Sequence, residues 1–105
     1  MKASLALTDE ESSVIAEILR EHLPNDVTVH VFGSRASGRV KAWSDLDLVL
    51  EGPSPLSISL IAALAEAFEE SPLPWKVDIV DRKTVSDGFG RLIDRSKVAL
   101  AGLKT

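Results

Sequence analysis

"FGSRASGRVKAWSDLDLVLEG", residues 32–52, holds the reading on which the fold turns. It starts at the end of one strand pattern, "VTVHVF" (residues 27–32), passes a Gly-Ser pair and enters a second, "LDLVL" (Leu46–Leu50), whose polarity alternates with period two. Aspartate fits a half-buried pleated surface poorly and is depleted in strands, yet Asp45 and Asp47 both stand here. Side chains at i and i+2 of a strand leave from the same face. Leu46, Leu48 and Leu50 therefore take the core, and the two carboxylates point together with α-carbons about 6–7 Å apart. At an effective dielectric near 20 their repulsion is on the order of 2–3 kcal/mol, a sizeable fraction of a small domain's stability. Something must offset it.

A third strand supplies a partner. In "WKVDIV" (residues 75–80), Val77 and Ile79 alternate with Asp78, so a core-facing Val77 and Ile79 put Asp78 on the side shared by Asp45 and Asp47. Three carboxylates on adjacent strands form an all-oxygen site suited to magnesium, which takes one or two carboxylates together with waters and substrate phosphates. Asp81 has the opposite parity and reads as a strand-end residue. Gly33 and Ser34 follow the first strand. A glycine there lets the backbone approach a ligand, and a short helix over "SRASG" would aim its first N–H groups and the Ser34 hydroxyl at a polyphosphate. A Gly-Ser alone is explained by an ordinary turn. Its spacing from Asp-x-Asp, followed about thirty residues on by a lone strand aspartate, is far more specific.

Helical patterns surround these strands. Thr8 with Glu11 is a capping-box signature, and Val14, Ile15, Ile18 and Leu19 recur at helical spacing until "LPND". His22 lies in the last turn of that helix, where it reads as a surface residue complementing the helix dipole. Residues 54–71 read as a helix capped by Ser54 with Pro55 in first position and Leu60, Ile61, Leu64, Ala65 and Phe68 facing the core. The tail from Thr84 to Leu100 reads as a third helix, weakened by Gly88 and Gly90. The alternation of strands and helices predicts an α/β (α+β) fold, a small sheet with flanking helices. At 105 residues the chain fits one domain, 1–105.

With 45% hydrophobic and 27% charged residues, neither disorder nor a fibrous repeat is indicated. No secretory signal is readable, and the longest apolar run, "LSISLIAALAEAF", is too short to span a bilayer, so a cytoplasmic location and no membrane partner are expected. Cysteine is absent, which leaves oxygen-liganded metals as the inorganic partners. A net charge of −4 offers no basic face for duplex nucleic acid. Arg35, Arg39 and Lys41 reverse the sign locally, as a solvated basic loop or as contacts to a phosphorylated ligand.

On "VFGSRASGRVKAWSDLDLVL" and "VDIV" the chain resembles the DNA polymerase beta superfamily of nucleotidyltransferases, and within it the minimal nucleotidyltransferases that act as antitoxins. The resemblance is specific at Gly33, Ser34, Asp45 and Asp47, less so at Asp78, and extends more weakly over residues 8–100. It implies a three-layered core of helices on a mixed sheet, two Mg2+ ions held by Asp45, Asp47 and Asp78, and ATP as the substrate. It further implies that Asp45 and Asp47 bridge both ions and that Asp78 serves the ion activating the acceptor hydroxyl. Gly33 and Ser34 would hold the β- and γ-phosphates, with Arg35 adding charge. Relatives of this kind pair with a helical HEPN-domain toxin, and some transfer AMP to a tyrosine of it.

Larger members of the superfamily carry a further acceptor-binding domain. The expectation here is that another chain, a second copy, or a diffusible molecule brings the acceptor. Two other functions compete: neutralisation of the partner by association alone, motivated by the apolar tail residues Phe89, Leu92, Ile93, Val98 and Leu100, and transfer to a small molecule such as an aminoglycoside. His30 is weighed as a packing residue against a nucleotide contact, and Trp43 as loop packing against a base or partner contact. Arg91, Arg95 and Lys97 read first as a solvated helix face, then as a contact for an acidic partner.

Overall fold

A computed structural model describes residues 7–33 and 45–100. Helix α1 (Asp9–His22) starts at the predicted capping box: the Thr8 hydroxyl accepts the Glu11 N–H, and Glu11 Oε1 accepts the Thr8 N–H, both at 3.0 Å. Strand β1 (Thr28–Phe32) follows, then β2 (Leu46–Glu51), α2 (Ile58–Glu69), β3 (Val77–Asp81), α3 (Asp87–Ser96) and a two-residue β4 (Val98–Ala99). The sheet order is β3-β2-β1-β4. β1 runs antiparallel to β2 and β4, whereas β2 and β3 are parallel and joined through α2, so the sheet is mixed as expected.

The sheet separates two unequal apolar clusters. Ile15 and Leu19 of α1 and Leu64 and Phe68 of α2 pack with Val29, Val31, Leu46, Leu48 and Leu50, with Val77 and Ile79 partly buried beside them. The opposite face is covered by α3, where Phe32, Val49 and Ile93 form a smaller cluster with Val80 and Val85. Alternation along β2 accounts for the division: Leu46, Leu48 and Leu50 face one layer, and Asp47 and Val49 face the other.

Two helix boundaries differ from expectation. α2 is capped by Ser57, whose Oγ accepts the Leu60 N–H at 3.1 Å, and not by Ser54. The Leu56 N–H donates instead to Asp81 Oδ2 at 2.7 Å, which holds the preceding segment against the end of β3 before a helical turn can form. The tail helix spans only Asp87–Ser96, capped by Ser86; Val98 and Ala99 pair with Val31 and His30 as β4. A β-branched residue placed beside an open edge of β1 gains more from ladder hydrogen bonds than from one further helical turn.

Asp81 is the strand-end residue its parity predicts. It is 8% exposed and accepts the N–H groups of Leu56 and Lys83 at 2.7 and 2.9 Å, so one buried carboxylate ties the entry of α2 to the turn after β3. Gly90 also has a local reason. A Cβ there would lie 2.5–2.8 Å from the Arg82 guanidinium, which crosses α3 to pair with Asp94 at 2.9 Å.

Candidate active site

The carboxylates gather where β2 and β3 begin. In the parallel register Asp47 is paired with Asp78, and in the antiparallel register Phe32 is paired with Asp47. Directly opposed residues share a face, so Phe32, Asp47 and Asp78 project to the side covered further along by α3. Val77 and Ile79 point the other way, into the main core. Asp45 immediately precedes β2 and is exposed; the Leu46 N–H that follows it donates to the Lys76 carbonyl at 2.9 Å, the bond that aligns the start of β2 with β3.

Electrostatics follow from this placement. The Asp47 carboxyl is pushed above its ordinary value by burial first, then by the negative charges of Asp78 and Asp45 and by a hydrogen bond shared with Asp78. Lys76 Nζ stands 4.0 Å from Asp78 Oδ1, and its side chain is largely in solvent, so it offsets little of this repulsion. Among the described residues no three His, Cys, Asp or Glu side chains are gathered into a ready-made metal cage. The donor set nonetheless suits a hard divalent cation: carboxylate oxygens only, half-buried at Asp47 and Asp78 and exposed at Asp45, mutually repelling, and open enough for waters and phosphate oxygens to complete the shell.

Gly33 borders the pair. Its φ is +81°, in the left-handed region that favours glycine. A Cβ at this position would run into Asp47 Oδ2 and lie 3.1 Å from Asp47 Cγ. Glycine is therefore required both by the backbone and by the space in front of the carboxylate. Ser34 and Arg35, with Arg39, Lys41 and Trp43, lie outside the described residues.

The histidines take structural places. His22 Nδ1–H donates to the Ile18 carbonyl at 2.8 Å in the last turn of α1. His30 is on the carboxylate-bearing face but opposite Val49 and Ala99, one alternation removed from Phe32. Burial, and then the charge of Lys97, lower its pKa, with Glu51 acting in the other direction. It is half-buried, in keeping with the packing reading.

One neighbour of the site was missed from sequence. Phe32 meets Phe89 of α3 edge-on, with ring centroids 5.8 Å apart at 76°, so an aromatic pair borders Asp47. The signal was present in the alternation of Thr28, His30 and Phe32, which places Phe32 on the face of the carboxylates. Of the apolar tail residues, Ile93 and Leu100 are buried, and the exposed ones are Phe89 and Leu92, at 38% and 53%. Lys97 is 3.5 Å from Glu51 and 3.4 Å from Asp94, which removes it from the solvated face.

Comparison with known proteins places the chain in a family. The family described as "Nucleotidyltransferase domain" matches residues 12–99. A Haemophilus influenzae protein named "Probable protein adenylyltransferase MntA" is 41% identical over 98 residues, spanning 93% of this chain and 85% of that protein. A chain of a toxin–antitoxin complex crystallised with AMP-PNP superposes with a TM-score of 0.72 at 24% identity, over 89% of this chain and 74% of that one. A chain of the Shewanella oneidensis complex between tri-AMPylated HEPN toxin and MNT antitoxin gives 0.58 at 22% identity, over 87% and 69%. The two structures share the fold; the family match and the relative decide membership, and the chain belongs to the nucleotidyltransferase domain family.

Proposed function

We propose that this protein transfers AMP from ATP to a hydroxyl of a partner protein, that the partner is a HEPN-domain toxin, and that the modification silences it in the cytoplasm. The observation that carries the reading is the register: Asp47 is paired with Asp78 across parallel strands, with a positive-φ Gly33 packed against the Asp47 carboxylate. The 41% identical relative supports protein adenylyl transfer as the activity, and the two toxin–antitoxin neighbours support the kind of partner.

In this reading Asp45, Asp47 and Asp78 would hold two Mg2+ ions, which would supply positive charge to the oxygens of an in-line displacement. The rest falls to the chain. Gly33 leaves room for the triphosphate to approach the backbone, and Ser34 and Arg35 hold its β- and γ-phosphates. The partner's hydroxyl oxygen bonds to the α-phosphorus while the bond from that phosphorus to pyrophosphate breaks. Asp78, with its side chain 45% exposed, accepts the hydroxyl proton and returns it to solvent. The residues act as one domain, 1–105.

Incubation with α-labelled ATP, Mg2+ and the cognate HEPN-domain protein is expected to label that protein, and an Asp45→Asn, Asp47→Asn variant is expected to fold and not to label it. A wild type that binds nucleotide yet leaves the HEPN protein unlabelled would refute the transfer. Exposed Phe89 and Leu92 favour a second reading, neutralisation by association alone. The same variant separates the two, because association without chemistry predicts that it still protects cells from the toxin.

A further inference from the structure

α3 presents two different sides. Gly90 and Ile93 are buried against the sheet, whereas Gly88, Arg91, Leu92 and Arg95 are exposed and recur at three- and four-residue spacing along the opposite side. Each basic residue of this region can be traced. Arg82 is paired with Asp94, and Lys97 with Asp94 and Glu51. Arg91 and Arg95 have no acidic partner among the described residues, on a chain whose net charge is −4. Between them stands Leu92, 53% exposed. The glycines differ in the same sense: Gly90 makes room for Arg82, whereas a Cβ on Gly88 would meet nothing within 4 Å. No contact inside the described chain calls for glycine at 88.

We infer that this outer side of α3 is the docking ridge for the acceptor protein, and that the surface it receives carries acidic side chains around an apolar residue. Arg91 and Arg95 supply charge that the chain itself leaves uncompensated, Leu92 supplies the apolar contact, and Gly88 permits close approach of the partner's backbone. Position supports the assignment. Phe89, on the neighbouring side of the helix, meets Phe32 edge-on, and the register partner of Phe32 is Asp47. A protein seated on α3 would therefore lie beside the aromatic pair that borders Asp47. The inference rests on the reading that the acceptor is a protein, and it adds which surface that protein grips and with what chemistry.

The test is an Arg91→Glu, Arg95→Glu variant of the full chain, compared with wild type and with the Asp45→Asn, Asp47→Asn variant, against the cognate HEPN-domain protein. Titration calorimetry at two salt concentrations gives the affinity, and labelling at rising partner concentration gives KM and kcat. The arginine variant is expected to bind about ten-fold or more weakly and to lose most of the salt dependence, with KM raised, kcat unchanged and the same thermal shift with ATP and Mg2+. The aspartate variant is expected to bind normally and to transfer nothing. Leu92→Ala, whose fold is checked by its melting temperature, is expected to weaken binding in the same direction. An arginine variant that binds and labels like wild type overturns the inference. Loss of binding in that variant, with a wild type that never transfers AMP, leaves the ridge standing and removes the transferase reading.

Discussion

Replacing Asp47 by asparagine should make the metal-free protein more stable while disabling it. Asp47 and Asp78 are register partners on adjacent strands, so their α-carbons lie about 5 Å apart at the usual strand spacing, a separation that also suits the two carboxylates once both are ionised and no longer share a proton. Coulomb's law gives about 3 kcal/mol at an effective dielectric of 20 and about 0.8 kcal/mol in bulk water. Asp47 is half-buried and the Asp78 side chain is 45% exposed, which places the pair between these limits, at about 1–2 kcal/mol. An asparagine amide also donates to Asp78 where a carboxylate repels it. At about 4–8 °C per kcal/mol for a domain of this size, the variant should melt roughly 4–16 °C above wild type at pH 7 without divalent metal. The sign with pH follows from the raised Asp47 value: the folded state holds the proton more tightly than the unfolded chain, so the wild-type penalty is absent below the ordinary carboxylate range. It develops as pH rises through the raised folded value. The gap between the two proteins should therefore close on acidification, and Mg2+ should close it at pH 7 by stabilising wild type alone. Calorimetric melting across pH, with and without Mg2+, measures all of this. A variant no more stable than wild type at pH 7, or a gap that persists in acid, would refute the reasoning.

Asp81→Ala should destabilise by about 2–3 kcal/mol, because it leaves the Leu56 and Lys83 N–H groups without their carboxylate; denaturant unfolding checks this, and the loss should appear even with the active site intact. Asp94, held at about 2 chiefly by its hydrogen bonds to Arg82, should titrate at a clearly higher pH in Arg82→Met, as read by carbon chemical shifts. Since its folded value lies below the unfolded one, the contribution of this pair is fully present above about pH 4 and fades as pH falls toward that depressed value, so the variant should lose that part of the acid slope.

The elements whose signals are local were legible from sequence. Thr8 and Glu11 announced α1 because a capping box closes within four residues, and the parity of Asp47 and Asp78 announced the face they share because strand alternation has no slack. Even Asp81 was separated from Asp78 by parity alone. Where the reading failed, a distant group had decided the outcome. Ser54 looked like a cap until the Asp81 carboxylate claimed the Leu56 N–H, and Val98 looked helical until β1 offered an edge for pairing. Phe89 could be recognised as apolar, but its edge-on contact with Phe32 depends on where α3 crosses the sheet. The expected nucleotide contacts at Ser34 and Arg35 fall outside the described residues and stand on the resemblance and the position of Gly33.

The unequal division of the apolar side chains has a consequence for how ligands would communicate. Among the described residues, eleven buried side chains hold the layer of α1 and α2, and three hold the layer under α3. The thinner layer is the one that opens locally at least cost, and its amide hydrogens should exchange with solvent first. Nucleotide beside Asp47 and a protein seated on α3 would each quiet the motion of this same layer. Whichever arrives second meets a surface already stilled, so the two would favour one another's binding through shared entropy, without either touching the other.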